Sequence, residues 1–299
     1  MQQSKNKSKK LGMVVVVTTL LIVSFFAIKH FIINDGSGEK TDDRSNSQQQ
    51  SSEGVEPSTQ EDIKPAPEFS SAKLQSVVDS WVSGLPSGST ESVMITDKDG
   101  NVLASSNSDE VYFTASLYKL FVAFEAYKQL SNGTLTDSSN YLGSYSRLGC
   151  LDAMIRSSYS PCAEKMWAEL GKQNITDSMN NYGIKDTSLV GLSTTARDTA
   201  SILQLIYSSN SLTADNRSKY LDSMLTQDAL YRRGLPSGFS SAVKVYNKVG
   251  WNEQVEWHDG SIVELPDGRI LIVAVLTKSV GYRNIASLSS SIESVVTAN

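Results

Sequence analysis

Apolar and polar positions divide the chain into three zones. From Leu11 to Ile28 the sequence runs without charge, and Lys29, His30 and then Phe31-Ile32-Ile33 follow. A membrane-crossing helix needs about 20 residues, and 11–33 supplies them with the Lys29 side chain reaching outward. Residues 34–68 are rich in Ser, Gln, Asp, Glu and Pro and offer almost nothing to bury, which predicts a disordered, solvated linker. From Phe69 the pattern turns globular, and one domain is expected over 69–299.

Inside that domain the periodicity changes from segment to segment. Leu74, Val77, Val78 and Trp81 predict an amphipathic helix over Phe69–Val82. Ser92–Thr96 and Val102–Ser105 flank Asp97-Lys98-Asp99-Gly100-Asn101, a strand pair turned at Asp-Gly. Leu117, Leu120, Phe121 and Phe124 stand at i, i+3, i+4 and i+7, predicting a buried helix from an N-cap at Thr114 to about Leu130. Ser131-Asn132-Gly133 should stop it. The region 137–230 reads as mostly helical, most clearly over Asp198–Tyr207. Strand patterns return at Val243–Val249, Glu256–Leu265 and Ile270–Thr277, and Ile285–Val296 closes the chain as a helix. Strands at both ends with helices between predict an α/β (α+β) fold, an antiparallel sheet flanked by helices with an all-helical insertion. No internal repeat interrupts this plan.

Charge and composition narrow the chemistry. A net charge of −5 gives no electrostatic reason to expect nucleic acid. His30 and His258 are the only histidines and Cys150 and Cys162 the only cysteines, so no His-rich or Cys-x-x-Cys metal site can be assembled. No metal or organic cofactor is expected. Lys5, Lys7, Lys9 and Lys10 precede the apolar run, which places 1–10 in the cytoplasm and the domain outside. With no small-x-small cleavage pattern after the run, an uncleaved, single-pass signal anchor in the cell membrane is expected over a cleaved signal peptide. Outside the membrane thiols oxidise, and a structural Cys150–Cys162 bridge is expected over two free buried thiols.

Candidate chemistry centres on three clusters. Ser116 and Lys119 stand one helical turn apart, and a lysine amine can serve as base to a serine when burial lowers its pKa. The spacing alone is cheap, since it recurs at Ser4–Lys7, Ser70–Lys73 and Ser241–Lys244. Only the Ser116 copy opens a long apolar helix after a hairpin. Ser158-Tyr159-Ser160 heads a second helix, where serine ordinarily caps. Lys248-Val249-Gly250-Trp251 puts a lysine in a strand, where by itself it reads as an edge-strand solubility residue, and Gly250 permits close backbone approach.

In this order, Ser-x-x-Lys, Ser-x-Ser and Lys-x-Gly resemble the motif set of class A β-lactamases and penicillin-binding serine hydrolases, Ser-x-x-Lys, Ser-Asp-Asn and Lys-Thr-Gly. Thr194-Thr195-Ala196-Arg197-Asp198, Arg233-Gly234-Leu235-Pro236 and His258-Asp259-Gly260 fall in the same order as in that family. The resemblance covers roughly 69–299 and implies the β-lactamase/D,D-peptidase-like fold. It implies Ser116 as the acylated nucleophile, Lys119 as its base and Ser158 as proton carrier to the leaving nitrogen. Ser160 would bind a substrate amide and Lys248 the substrate carboxylate. Close approach at Gly250 would bring the Trp251 N–H, with that of Ser116, into an oxyanion hole. Substrates implied are β-lactams or the peptidoglycan peptides they mimic. Separately from the resemblance, a monomer is expected.

Three departures qualify the likeness. Tyr159 and Ser160 replace the family's Asp and Asn, and Val249 replaces a threonine that commonly meets the substrate carboxylate. No glutamate lies from 170 to 252, where class A β-lactamases carry the loop residue that activates the deacylating water. Asp186 is the nearest acid in sequence, and a turn role suits it better. Acylation is therefore expected and fast deacylation is not. A D-Ala-D-Ala carboxypeptidase or endopeptidase, and a degenerate binding module without turnover, are the alternatives. Glu164 and Asp152 read as solvated helix charges. His258 and Asp259, adjacent on a strand, face opposite ways and cannot relay protons to each other.

Overall fold

The Asp-Gly hairpin begins the sheet. In this computed structural model, which describes residues 68–252 and 255–298, β1 (Thr90–Asp97) turns back into β2 (Val102–Ser106). A two-residue ribbon joins β3 (Tyr112–Phe113) to β4 (Ser193–Thr194). The chain ends through β5 (Lys244–Trp251), β6 (Trp257–Glu264) and β7 (Ile270–Lys278). The main sheet has the order β2-β1-β7-β6-β5, antiparallel at every pairing. The proposed segments 1–10 and 11–33, and the linker up to residue 67, lie outside the described residues. Among the described residues no helix is long and apolar enough to cross a membrane.

Helices of the described residues are α1 (Ser71–Ser83), α2 (Tyr118–Ser131), α3 (Arg147–Arg156), α4 (Ser160–Leu170), α5 (Lys172–Asn181), α6 (Ala196–Ser208), α7 (Ala214–Leu225), α8 (Leu235–Gly238) and α9 (Tyr282–Val296). Strand alternation sorts the core into two. Along β7, Ile270, Ile272, Ala274 and Leu276 pack toward the helical insertion, while Leu271, Val273 and Val275 pack toward α1 and α9. Helix α2 is buried from Tyr118 to Tyr127, the all-round burial of a helix at the centre of its layer.

Two details differ from the periodicity reading. The β3–β4 ribbon was not expected, because two residues are too few to show alternation. It matters nonetheless, since it fixes the chain just ahead of Ser116, and the Thr114 N–H donates to the Leu192 carbonyl (2.8 Å) to extend it. Thr114 also does not cap an α-helix. Ala115 takes a positive φ of 43°, residues Ala115–Leu117 wind as a 3-10 turn, and α2 begins only at Tyr118. The Thr114 hydroxyl donates to the Ala115 carbonyl (3.1 Å) and leaves no cap bond to the helix. A non-glycine residue held at positive φ costs on the order of 1–3 kcal/mol, which the packing around Ser116 must offset.

Candidate active site

Ser116 sits in that 3-10 turn, half-buried, one turn ahead of the fully buried Lys119. The Lys119 Nζ lies 3.2 Å from Ser116 Oγ. It donates to the Ser158 carbonyl (2.6 Å) and lies 3.2 Å from both Ser158 Oγ and Ser160 Oγ. Among the described residues no carboxylate forms an ion pair with Lys119. Burial therefore dominates, pushing the amine down from 10.5 to about 8, with the negative charge of Glu164 opposing the shift. A neutral amine there keeps two N–H donors and turns its lone pair to a third partner.

Ser158 occupies the junction between α3 and α4 with a positive φ of 51°. This conformation aims its carbonyl and its hydroxyl at the same amine. Lys248 approaches from the other side, its Nζ 3.0 Å from Ser158 Oγ and 2.8 Å from the Val249 carbonyl. One hydroxyl oxygen thus accepts from two lysines, and its own O–H remains free to donate outward. Lys248 is fully buried although β5 is an edge strand, so it is no solubility residue. Burial first, and the neighbouring Lys119 second, hold its pKa well below 10.5, while Asp259 acts the other way.

Gly250 explains how β5 reaches the serine. A Cβ there would stand 2.8 Å from the Thr114 carbonyl and 3.0 Å from the Leu117 nitrogen. Only glycine lets strand and turn touch at this point. Trp251 follows it, half-buried, its ring stacked on Trp257 at 5.9 Å. Exposed Tyr145 and Tyr159, the latter next to Ser158 in sequence, pack ring to ring at 5.7 Å. Val249 is completely buried.

Cys150 in α3 and Cys162 in α4 form a disulfide that ties together the two helices flanking Ser158. His258 works on the opposite side. Its Nδ1 accepts from the Thr277 N–H (3.0 Å), which leaves Nε2–H to donate to the Phe113 carbonyl (2.9 Å). Burial lowers its pKa to about 4, so the ring is neutral where most proteins operate. Asp259 points away, accepting from the Leu235 N–H (2.9 Å), Asn247 and Ser261. Burial raises its pKa to about 7. Asp186 is exposed, and its backbone N–H donates to Asp198 in a turn. Among the described residues no group of His, Cys, Asp and Glu could hold a metal ion.

The structure thus brings Ser116, Lys119, Ser158, Ser160 and Lys248 into one hydrogen-bonded cluster beside Gly250. A hydroxyl, a buried amine of lowered basicity and a second hydroxyl held by two lysines form an arrangement suited to acyl transfer through serine. The sequence profile of the β-lactamase enzyme family matches residues 73–296, and the chain belongs to that family of serine hydrolases. No curated protein matches it in sequence. Among solved structures, it is similar to a class A β-lactamase from Bacteroides cellulosilyticus, with a TM-score of 0.68 and 15% identity over 78% of this chain and 100% of the other. PBP-A gives 0.65 and 18% identity over 77% and 97%. A β-lactamase from Desulfarculus baarsii gives 0.68 and 14% identity over 78% and 100%. At such identities the likeness is one of fold.

Proposed function

We propose that this protein is a membrane-anchored, outward-facing serine hydrolase that forms an acyl-enzyme on Ser116 with β-lactams and releases it slowly. The observation that carries the reading is the buried Lys119 amine, 3.2 Å from Ser116 Oγ and lowered to about 8. In the neutral form its lone pair takes the Ser116 proton as Oγ attacks the lactam carbonyl. Ser158 passes a proton to the leaving nitrogen. Lys248 binds the substrate carboxylate, Ser160 a substrate amide, and the N–H groups of Ser116 and Trp251 the oxyanion. A solved PBP-A mutant of similar fold holds penicillin G as an acyl-enzyme, which supports the reading. The membrane anchor and outward orientation rest on the 11–33 run and the lysines ahead of it.

A D-Ala-D-Ala peptidase is the second reading, favoured by the lack of any glutamate from 170 to 252. A fluorescent penicillin distinguishes them on the full chain, with Ser116→Ala alongside. Labelling that needs Ser116 and then decays supports β-lactam hydrolysis. Persistent labelling, together with cleavage of a D-Ala-D-Ala peptide, supports the peptidase. No Ser116-dependent labelling refutes acyl-enzyme formation.

A further inference from the structure

Residues Ser160, Glu164 and Trp167 of α4 are spaced i, i+4 and i+7, so they form one stripe along the helix. Its two ends are fixed against α2. Ser160 Oγ lies 3.2 Å from the Lys119 amine, and the Trp167 ring packs on Tyr118 at 5.2 Å. Glu164 stands between these contacts, exposed to solvent, at the seam where α4 meets the helix of Lys119. Its carboxylate has no hydrogen bond or ion pair to any described residue. Lys119 and Tyr118 both feel its charge, and for Lys119 it is the only carboxylate whose charge registers. An acid that is free of protein partners, wet, and one helical turn from the residue touching the catalytic amine is well placed to hold a water.

We propose that Glu164 is the general base that activates the water releasing the acyl group from Ser116. The inference rests on the acyl-enzyme reading above. In the step, the Glu164 carboxylate takes one proton from water while the water oxygen bonds to the acyl carbon. The tetrahedral oxyanion then collapses, the bond from carbon to Ser116 Oγ breaks, and the carbonyl re-forms. The proton held by Glu164 passes through the Lys119 amine to Ser116 Oγ, so the serine is regenerated and the product leaves as a carboxylic acid. A helix-borne acid here takes the part that a loop glutamate plays in class A β-lactamases.

Full-chain wild type, Glu164→Gln, Glu164→Asp and Asp186→Asn should be compared with a chromogenic β-lactam by stopped flow, with intact-protein mass spectrometry on quenched samples. For Glu164→Gln the deacylation rate should fall about 100-fold or more, the scale of a lost general base. Acyl-enzyme should accumulate, kcat should fall, and kcat/KM should change less than about threefold, because acylation feels this group only through its charge on Lys119. Glu164→Asp should retain part of the activity, and the thermal midpoint of Glu164→Gln should match wild type because the side chain is exposed. Unchanged release in Glu164→Gln, or a larger loss in Asp186→Asn, overturns the proposal. So does a wild-type acyl-enzyme that never turns over. Absence of any acyl adduct in wild type instead refutes the acyl-enzyme reading itself, so the two failures are distinguishable.

Discussion

Acylation should follow the protonation of Lys119. In the folded protein this amine has a pKa of about 8 against 10.5 in an unfolded chain. That difference corresponds to about 3 kcal/mol against the ammonium form. Roughly a hundredth of the molecules then carry the free amine at pH 6, about a tenth at pH 7 and half at pH 8. The acylation rate at limiting substrate should therefore rise close to tenfold per pH unit from 6 to 7, then bend to a plateau above 8. Rapid mixing with a fluorescent penicillin, read as the rate of label incorporation, gives this profile directly. Lys119→Met should lose about 100- to 10,000-fold across the range. Lys119→Arg should not rescue it, because a guanidinium cannot give up its proton in a protein. A profile flat from pH 6 to 8, or a limb in the carboxylate range near pH 4, would show that some other group takes the serine proton.

Further expectations follow from the same geometry. Gly250→Ala should destabilise the domain by about 1–3 kcal/mol and slow labelling, since its new methyl meets the Thr114 carbonyl and Leu117 nitrogen; denaturant titration and label kinetics test both. The double change Cys150→Ser with Cys162→Ser opens a bridge of sequence separation 12, worth about 3 kcal/mol by loop closure, and calorimetry should show a midpoint lower by about 10 °C. His258 is held at about 4, below its unfolded value of 6.5, so the unfolded chain binds the extra proton between those limits and wild-type stability is lost as pH falls through them. His258→Gln should remove that component, about 3 kcal/mol at most. Asp259, raised to about 7, has the opposite slope, losing stability as pH rises toward 7. The difference between variant and wild type isolates the histidine.

Much of the site could be read from residue order. The apolar spacing of Leu117, Leu120, Phe121 and Phe124 gave the helix that carries Lys119, and the strand carrying Lys248-Val249-Gly250 does lie against the 3-10 turn that leads into it. The cysteine pair was legible from there being only two cysteines, bracketing the second serine cluster. Three features were not. Lys248 looked like an edge-strand lysine, and β5 is an edge strand, but contacts distant in sequence bury the amine against Ser158. The left-handed Ser158 and the tight turn at Ala115 arise from tertiary packing, since neither residue type prefers positive φ. The reading of Glu164 as a solvated helix charge holds, since its side chain is exposed; its place beside α2 follows from the docking of α4, which no one-dimensional pattern gives.

These misses share a cause that also shapes the chemistry. Neither lysine draws its lowered basicity from a local sequence partner. For Lys119 the largest cause is burial, and for Lys248 burial followed by the second cation. Burial at this site is assembled from the α3–α4 junction, the β5 edge and the 3-10 turn, three pieces far apart in the chain. A change that loosens any of them admits water, raises the Lys119 pKa toward 10.5 and lowers the fraction of free amine at neutral pH. Gly250→Ala and the opened disulfide should therefore do more than destabilise. In each, the rise in acylation rate with pH should move to higher pH, whereas Glu164→Gln, which removes the charge opposing burial, should move it lower. Opposite displacements of one titration by substitutions on different elements are what a base tuned by burial requires, and a base tuned by a local partner would not produce them.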